Sequence, residues 1–214
     1  MRKVHIVNYG MGNIKSVQRG IEHAGGEALI CADPNLIRKA DRVVLPGVGA
    51  FGNGMHGLRE NGVLEALSEF VATGKPLLGI CLGMQMLFDR SEEFGDHQGL
   101  GFIPGVVKKI PSLDDQERIR KLPNVGWLPL QKPVGRSGWN GSILENVHEG
   151  DFFYFVHSYM AVPVNQNLML AQCEYYGVKI TAAVQHENIT GLQFHPEKSG
   201  KYGLNLIKSF VSLR

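Results

Sequence analysis

Short apolar runs alternate with helix-like stretches through the first half of this chain, and that rhythm constrains the fold more than any other feature. Residues 4–8 form an apolar run that leads into Gly10-Met11-Gly12. Residues 14–24 follow, with Ile14, Val17, Ile21 and Ala24 at the three-to-four spacing of one helical face. Gly25-Gly26 ends that stretch. Residues 27–31 and 42–45 read as further strands, the second closed by Pro46-Gly47. Residues 58–73 are amphipathic, with a break near Gly62 and a stop at Gly74. Residues 76–80 are a fourth apolar run, and the spacing predicts a helix over 82–90. Strands and helices alternating at this interval build βαβ units, whose parallel sheet carries helices on both faces.

Beyond about Gly101 the rhythm changes. Runs at 106–110, 152–156, 168–175, 180–185 and 189–194 read as short strands separated by turns. They predict an antiparallel portion. Residues 202–213 read as a closing helix with Leu206, Ile207, Phe210 and Val211 on its apolar face. The charged stretch 112–121 is expected to be an exposed loop. No internal repeat or low-complexity linker interrupts the chain. The expected architecture is a single α/β domain over residues 1–214, an open mixed sheet flanked by helices with its antiparallel portion in the second half. A chain of 214 residues can bury a core without disulfides or structural metal.

Bulk charge narrows the function. The formal net charge is only +2, which argues against a dedicated nucleic-acid binder or a polybasic membrane binder. No apolar run reaches the ~18–20 residues of a membrane helix. The apolar part of the N-terminus is too short for a signal peptide. Cys31, Cys81 and Cys173 lie far apart with no CxxC pair, which favours a reducing, cytoplasmic setting over a disulfide framework. His5, His23, His56, His97, His148, His157 and His186 show no metal-ligand spacing, so neither metal nor cofactor is expected. Glycine is abundant, 27 residues, and its placement matters more than its count.

Three segments could carry chemistry. In Gly79-Ile80-Cys81-Leu82-Gly83 an apolar strand runs into a tight turn and then a helix, the form of a nucleophile elbow with cysteine as nucleophile. The sulfur would stand at a helix N-terminus, which favours a thiolate. The backbone N–H of Leu82 would face a developing oxyanion. In Gln193-Phe194-His195-Pro196-Glu197, His195 could take the thiol proton, and Glu197, two residues on, could orient the imidazole. Pro46-Gly47-Val48-Gly49-Ala50-Phe51 ends a predicted strand, where ligands bind in open parallel sheets. Each segment also has an ordinary reading: a buried cysteine between turn glycines, a surface His and Glu at a strand end, a glycine turn. Gly10-Met11-Gly12-Asn13 lacks the third glycine of a dinucleotide loop and the Gly-Lys of a P-loop, so nucleotide binding is rejected there.

Taken together and in this order, the motifs resemble the class I (triad-type) glutamine amidotransferases, over essentially the whole chain. The resemblance rests on Asn8-Tyr9-Gly10-Met11-Gly12-Asn13, Pro46-Gly47-Val48-Gly49-Ala50-Phe51, Gly79-Ile80-Cys81-Leu82-Gly83-Met84-Gln85, Tyr154-Phe155-Val156-His157-Ser158-Tyr159 and Phe194-His195-Pro196-Glu197-Lys198-Ser199. The first and fourth of these narrow it to the branch of glutaminase subunits of imidazole glycerol phosphate synthase. The resemblance implies Cys81 as nucleophile, His195 as base and Glu197 as orienting acid. It implies that Gly49 and Leu82 supply oxyanion N–H groups, that Gln85 and Glu93 hold the polar end of L-glutamine, and that Ser158 and Tyr159 line the same pocket. It further implies a heterodimer with a (β/α)₈-barrel cyclase subunit that receives the ammonia in histidine biosynthesis. Asn13, Trp127, Tyr154 and Lys198 would then sit at or near that interface. Neither nucleic acid nor membrane is implied as a partner.

One position departs from the pattern. The family shows Pro-x-x-Gly-Trp-Asn where this chain has Pro123-Asn124-Val125-Gly126-Trp127-Leu128. That keeps open an alternative, a paralogous subunit supplying ammonia through a cyclase-like partner for surface-polysaccharide (amidino-sugar) synthesis.

Overall fold

The structure is a computed structural model that describes residues 1–113 and 117–213. The first half contains β1 (Arg2–Val7), α1 (Ile14–His23), β2 (Gly26–Cys31), α2 (Pro34–Lys39), β3 (Val43–Gly47), α3 (Phe51–Glu60), α4 (Val63–Ala72), β4 (Leu77–Cys81) and α5 (Leu82–Met86). The second half contains β5 (Phe88–Ser91), β6 (His97–Gln98), β7 (Ile103–Lys109), β8 (Asn124–Pro129), β9 (Phe152–His157), β10 (Tyr159–Pro163), β11 (Met169–Tyr175), β12 (Val178–His186), β13 (Ile189–Leu192) and α6 (Gly200–Ser212).

The main sheet has seven strands in the order β11-β12-β13-β4-β3-β1-β2. The pairs β1–β2, β1–β3, β3–β4 and β4–β13 are parallel, and β11–β12 and β12–β13 are antiparallel. A second sheet, β10-β7-β5-β6, and the β8–β9 ribbon complete the architecture. The mixed α/β sheet is therefore the expected one, with two differences. Of the run at 189–194, residues 189–192 form β13, which joins the parallel side beside β4. The helix expected over 82–90 stops at Met86, because Phe88–Ser91 is recruited into the second sheet next to β7. An uninterrupted apolar run does not distinguish a buried helix from a buried strand.

Strand alternation divides the core in two. Val4, Ile6, Val44, Leu78 and Ile80 point to the face covered by α1 and α6. Val7, Val43, Leu45 and Leu77 point to the face covered by α2, α3, α4 and α5. A central parallel strand buried on both faces has no polar face to show, which is why β3 and β4 read as continuous apolar runs. Phe51, Phe70, Phe88, Phe153, Phe155, Phe194 and Phe210 are fully buried, each stabilising the fold by about 1.5–3 kcal/mol. The short helix α2 starts at Pro34, where Asp33 accepts a hydrogen bond from the Asn35 N–H (2.8 Å). Pro at the first helical position and Asp before it are a start signal, but six residues are too few to show periodicity.

The stretch 112–121 is not wholly exposed. Residues 114–116 lie outside the described residues. Beside them Leu113 bridges Ile119. Arg120 is buried and donates to the carbonyls of Pro111, Leu113 and Tyr176. Among the described residues no helix is long and apolar enough to cross a membrane.

Candidate active site

Strand β4 lies between β3 and β13, with Gly47 opposite Cys81 and Leu192 opposite Ile80. Its carboxyl end therefore faces the segments that leave both neighbours, the place where open parallel sheets gather ligand-binding groups. Cys81 ends the strand with φ 55° and ψ −111°. That conformation strains a side chain bearing a Cβ by about 1–3 kcal/mol, a cost that persists only where surrounding packing enforces it. The enforcement comes from the next turn. A Cβ on Gly83 would overlap the carbonyl oxygen of Leu45 on β3. Only glycine lets α5 start this close to the sheet.

His195 follows β13 and is held from three directions. Its N–H donates to the Tyr154 carbonyl (2.9 Å). Its own carbonyl accepts from the Ser199 hydroxyl (2.6 Å), and that oxygen in turn accepts from the Tyr154 N–H (3.0 Å). Nδ1 bonds the Glu197 carboxylate at 2.7 Å, with both side chains almost fully buried, 2% and 1% exposed. The opposite ring nitrogen, Nε2, is buried and makes no hydrogen bond in this resting geometry. Its neighbour in electrostatic terms is Cys81. Burial pushes the imidazole pKa down, but the interactions with Cys81 and Glu197 outweigh that and raise it to about 10. An imidazole that holds a proton this firmly beside a thiol is arranged to take the proton from it.

A cavity of about 220 Å³ opens over these groups. It is lined by Val48, Gly49, Cys81, Leu82, Gln85, Glu93, Val156, His157, Ser158, Tyr159 and His195. The structure thus brings together at one cavity every residue proposed from sequence for nucleophile, base, oxyanion and substrate contacts, with Glu197 behind His195. A larger open depression of about 520 Å³ beside α6 is lined by Glu145, Asn146, Asn205 and Lys208, and it shares no lining residue with this cavity.

Individual groups have defined partners. Glu93 accepts from the Phe51 N–H at 2.6 Å, tying the wall of the cavity to the first turn of α3 just after the glycine loop. Gly49 in that loop has φ +97°, open to glycine and strained for other residues. Tyr9 is buried beneath it and donates its hydroxyl to the Pro46 carbonyl (2.8 Å). Burial, with a smaller contribution from Cys81, holds that phenol well above its ordinary pKa. Burial also raises Tyr159, with Glu93 acting in the same direction.

The residues expected at a partner face lie outside the cavity. The rings of Trp127 and Tyr154 meet edge-on at 6.0 Å between centroids, and the Lys198 ammonium lies 5.7 Å from the Tyr154 ring centre. Trp127 is about half exposed. Asn13 is the residue before α1. Leu128 is on the opposite side of β8 from Trp127 and packs against the core. Its departure from the family pattern therefore places an apolar group on the inward face.

The family profile for "Glutamine amidotransferase class-I" matches residues 5–212. The chain belongs to the class-I glutamine amidotransferases. This amidotransferase is 44% identical over 213 residues, 100% of both chains, to a Legionella pneumophila (strain Lens) protein named "Imidazole glycerol phosphate synthase subunit HisH 1". It is 43% identical to the HisH subunit of Syntrophotalea carbinolica, covering 96% of this chain and 97% of that one. Among solved structures it is similar in fold to "Structure of PurLQS from Thermotoga maritima", with a TM-score of 0.73 at 18% identity, over 98% of this chain and 97% of that chain.

Sequence reasoning left out His157 and Gln193 as site residues, although both stand inside the recognised motifs of this amidotransferase. His157 is almost fully buried, its Nδ1 bonded to the Tyr159 carbonyl (2.8 Å) and its Nε2 to the Asn124 amide (3.1 Å). Burial drives its pKa down to about 4, against a raising contribution from the Tyr159 carbonyl, and His195 lowers it further. Gln193 is completely buried. The available signal was polarity itself: a histidine and a glutamine within apolar runs need partners when buried.

Proposed function

We propose that this chain is the glutaminase subunit of an imidazole glycerol phosphate synthase. It hydrolyses L-glutamine to glutamate and ammonia, and a (β/α)₈-barrel cyclase subunit uses the ammonia in histidine biosynthesis. The whole chain acts as one glutaminase domain, in the cytoplasm, with no cofactor. The observation that carries the chemistry is the buried His195–Glu197 pair beside the strained Cys81 at the head of one cavity. Full-length identity to subunits bearing that name supports the pathway.

Cys81 attacks the side-chain carboxamide carbon of glutamine while His195 takes the thiol proton. The oxyanion that forms is held by backbone N–H groups of Leu82 and the Gly49 loop. His195 then gives its proton to the leaving nitrogen, and ammonia departs. Water, deprotonated by His195, attacks the glutamyl thioester and releases glutamate. Glu197 keeps the imidazole in the required orientation and stabilises its charged form. Gln85, Glu93, Ser158 and Tyr159 hold the amino-acid end of the substrate. Asn13, Trp127, Tyr154 and Lys198 meet the cyclase subunit.

The test is Cys81→Ala. It abolishes glutamine hydrolysis, while the variant still binds the cyclase subunit and supports synthesis from added ammonium. Glutaminase activity retained in that variant overturns the assignment.

A further inference from the structure

A chain of buried polar groups runs from β8 to the nucleophile. Asn124, His157, Gln85 and Gln193 are all less than a tenth exposed. The Tyr159 carbonyl sets their polarity, because a carbonyl oxygen only accepts. It takes one N–H from Gln85 Nε2 (3.1 Å) and one from His157 Nδ1 (2.8 Å). His157 is therefore the Nδ1–H tautomer, and its Nε2 accepts from Asn124 Nδ2 at 3.1 Å. The second N–H of the Gln85 amide goes to Gln193 Oε1 at 3.0 Å. With its oxygen so engaged, Gln193 can only present Nε2 to the sulfur of Cys81, at 3.8 Å. The sulfur also contacts the Val156 carbonyl at 3.9 Å, an acceptor that orients a thiol but does nothing for a sulfur anion.

We propose that Gln193 is a positioning residue for the nucleophile: its amide, locked donor-first by Gln85 and the Tyr159 carbonyl, turns the Cys81 sulfur toward His195 and supports its negative charge. Buried amides that only filled space would be replaced at little cost by apolar groups of the same shape, whereas a polar network this complete fixes one orientation. The network also explains a feature of substrate binding. Both N–H groups of Gln85 are spent inside the protein, so Gln85 offers the cavity only its Oε1. It accepts from the substrate and does not donate to it. The inference rests on the glutaminase reading for its catalytic meaning, but not for its geometry.

Two variants test it, with the full chain and its cyclase partner present. Gln193→Met removes both ends of the amide. Gln193→Glu keeps an acceptor for Gln85 and replaces the donor to sulfur. The readouts are the rate at which iodoacetamide alkylates Cys81, followed by peptide mass, and the kcat and KM of glutamine hydrolysis. Both variants slow alkylation and lower kcat by at least about tenfold, the effect of losing one hydrogen bond to a charged group. Gln193→Glu keeps KM within about threefold, because Gln85 stays held. Alkylation and kcat at the native values in either folded variant overturn the proposal. If one variant does not fold, the other decides alone. If the native protein fails to hydrolyse glutamine while the variants still alkylate slowly, the function fails and the positioning role stands.

Discussion

The Glu197→Gln variant isolates the orienting carboxylate with almost no change of shape. Glu197 and the His195 Nδ1 are 2.7 Å apart and both side chains are nearly dry. Taking the charge centres about 4 Å apart and an effective dielectric constant of about 20, the carboxylate is worth ~4 kcal/mol to the imidazolium. The carboxylate holds the imidazolium–thiolate pair from which attack starts; in the variant that pair must be formed from the thiol and the neutral ring, so most of that energy is added to the barrier. At ~1.4 kcal/mol per decade, kcat falls about 10³-fold. KM changes little, because Glu197 does not line the cavity. The assay is glutamate release by the assembled complex, with thermal unfolding measured across pH in parallel. The sign of the pH effect follows from His195, whose pKa is raised from 6.5 to about 10 in the folded state. The stabilisation is full below the unfolded value of 6.5 and disappears as pH rises toward about 10. The melting-temperature gap between native protein and variant is therefore widest near pH 6 and closes on the alkaline side. A kcat within about tenfold of native, or a gap that widens with pH, refutes the reasoning about this pair.

Three further predictions follow from the packing. Gly83→Ala drives a methyl group into the Leu45 carbonyl; at about 3 kcal/mol for overpacking and 2–4 °C per kcal/mol, differential scanning calorimetry finds a melting temperature lower by roughly 6–12 °C, or no soluble protein. Tyr9→Phe deletes the hydrogen bond to the Pro46 carbonyl, so melting falls by about 2–4 °C, the worth of ~1 kcal/mol, and an unchanged melting point refutes the bond's contribution. Trp127→Ala removes the half-exposed ring that packs on Tyr154; titration calorimetry with the cyclase subunit gives a Kd weaker by about 30-fold or more, the range of an aromatic anchor, while a native Kd removes Trp127 from the interface.

Much of this protein was written locally. The apolar runs at β1, β3 and β4 and the glycine stops after the helices announce a parallel sheet, because a strand buried on both faces is apolar throughout. The elbow around Cys81 is also local, since its glycines are needed by residues only a turn or a neighbouring strand away. The full motif set, read as a family likeness, carried the same assignment to the cavity. Local pattern was insufficient where one apolar run could serve either a helix or a strand. Phe88–Ser91 became β5 because β7 was there to pair with it, and Ile189–Leu192 joined the parallel side because β4 offered a free edge.

The order of motifs along the chain already carried the kind of chemistry proposed here, a cysteine nucleophile with a histidine and a carboxylate on an α/β scaffold. How those groups are held became visible only in three dimensions. Gln193 and Cys81 are 112 residues apart, and no periodicity or propensity reports a contact at that distance. The donor and acceptor roles of Gln85, Gln193 and His157 follow from a single backbone carbonyl at Tyr159, whose position exists only after β9 and β10 have folded over the elbow. The inward turn of Leu128 is likewise a matter of which face of β8 meets the core. Residue types are chosen along the chain, but the direction of a hydrogen bond is chosen in space, by whichever buried partner can only give or only accept.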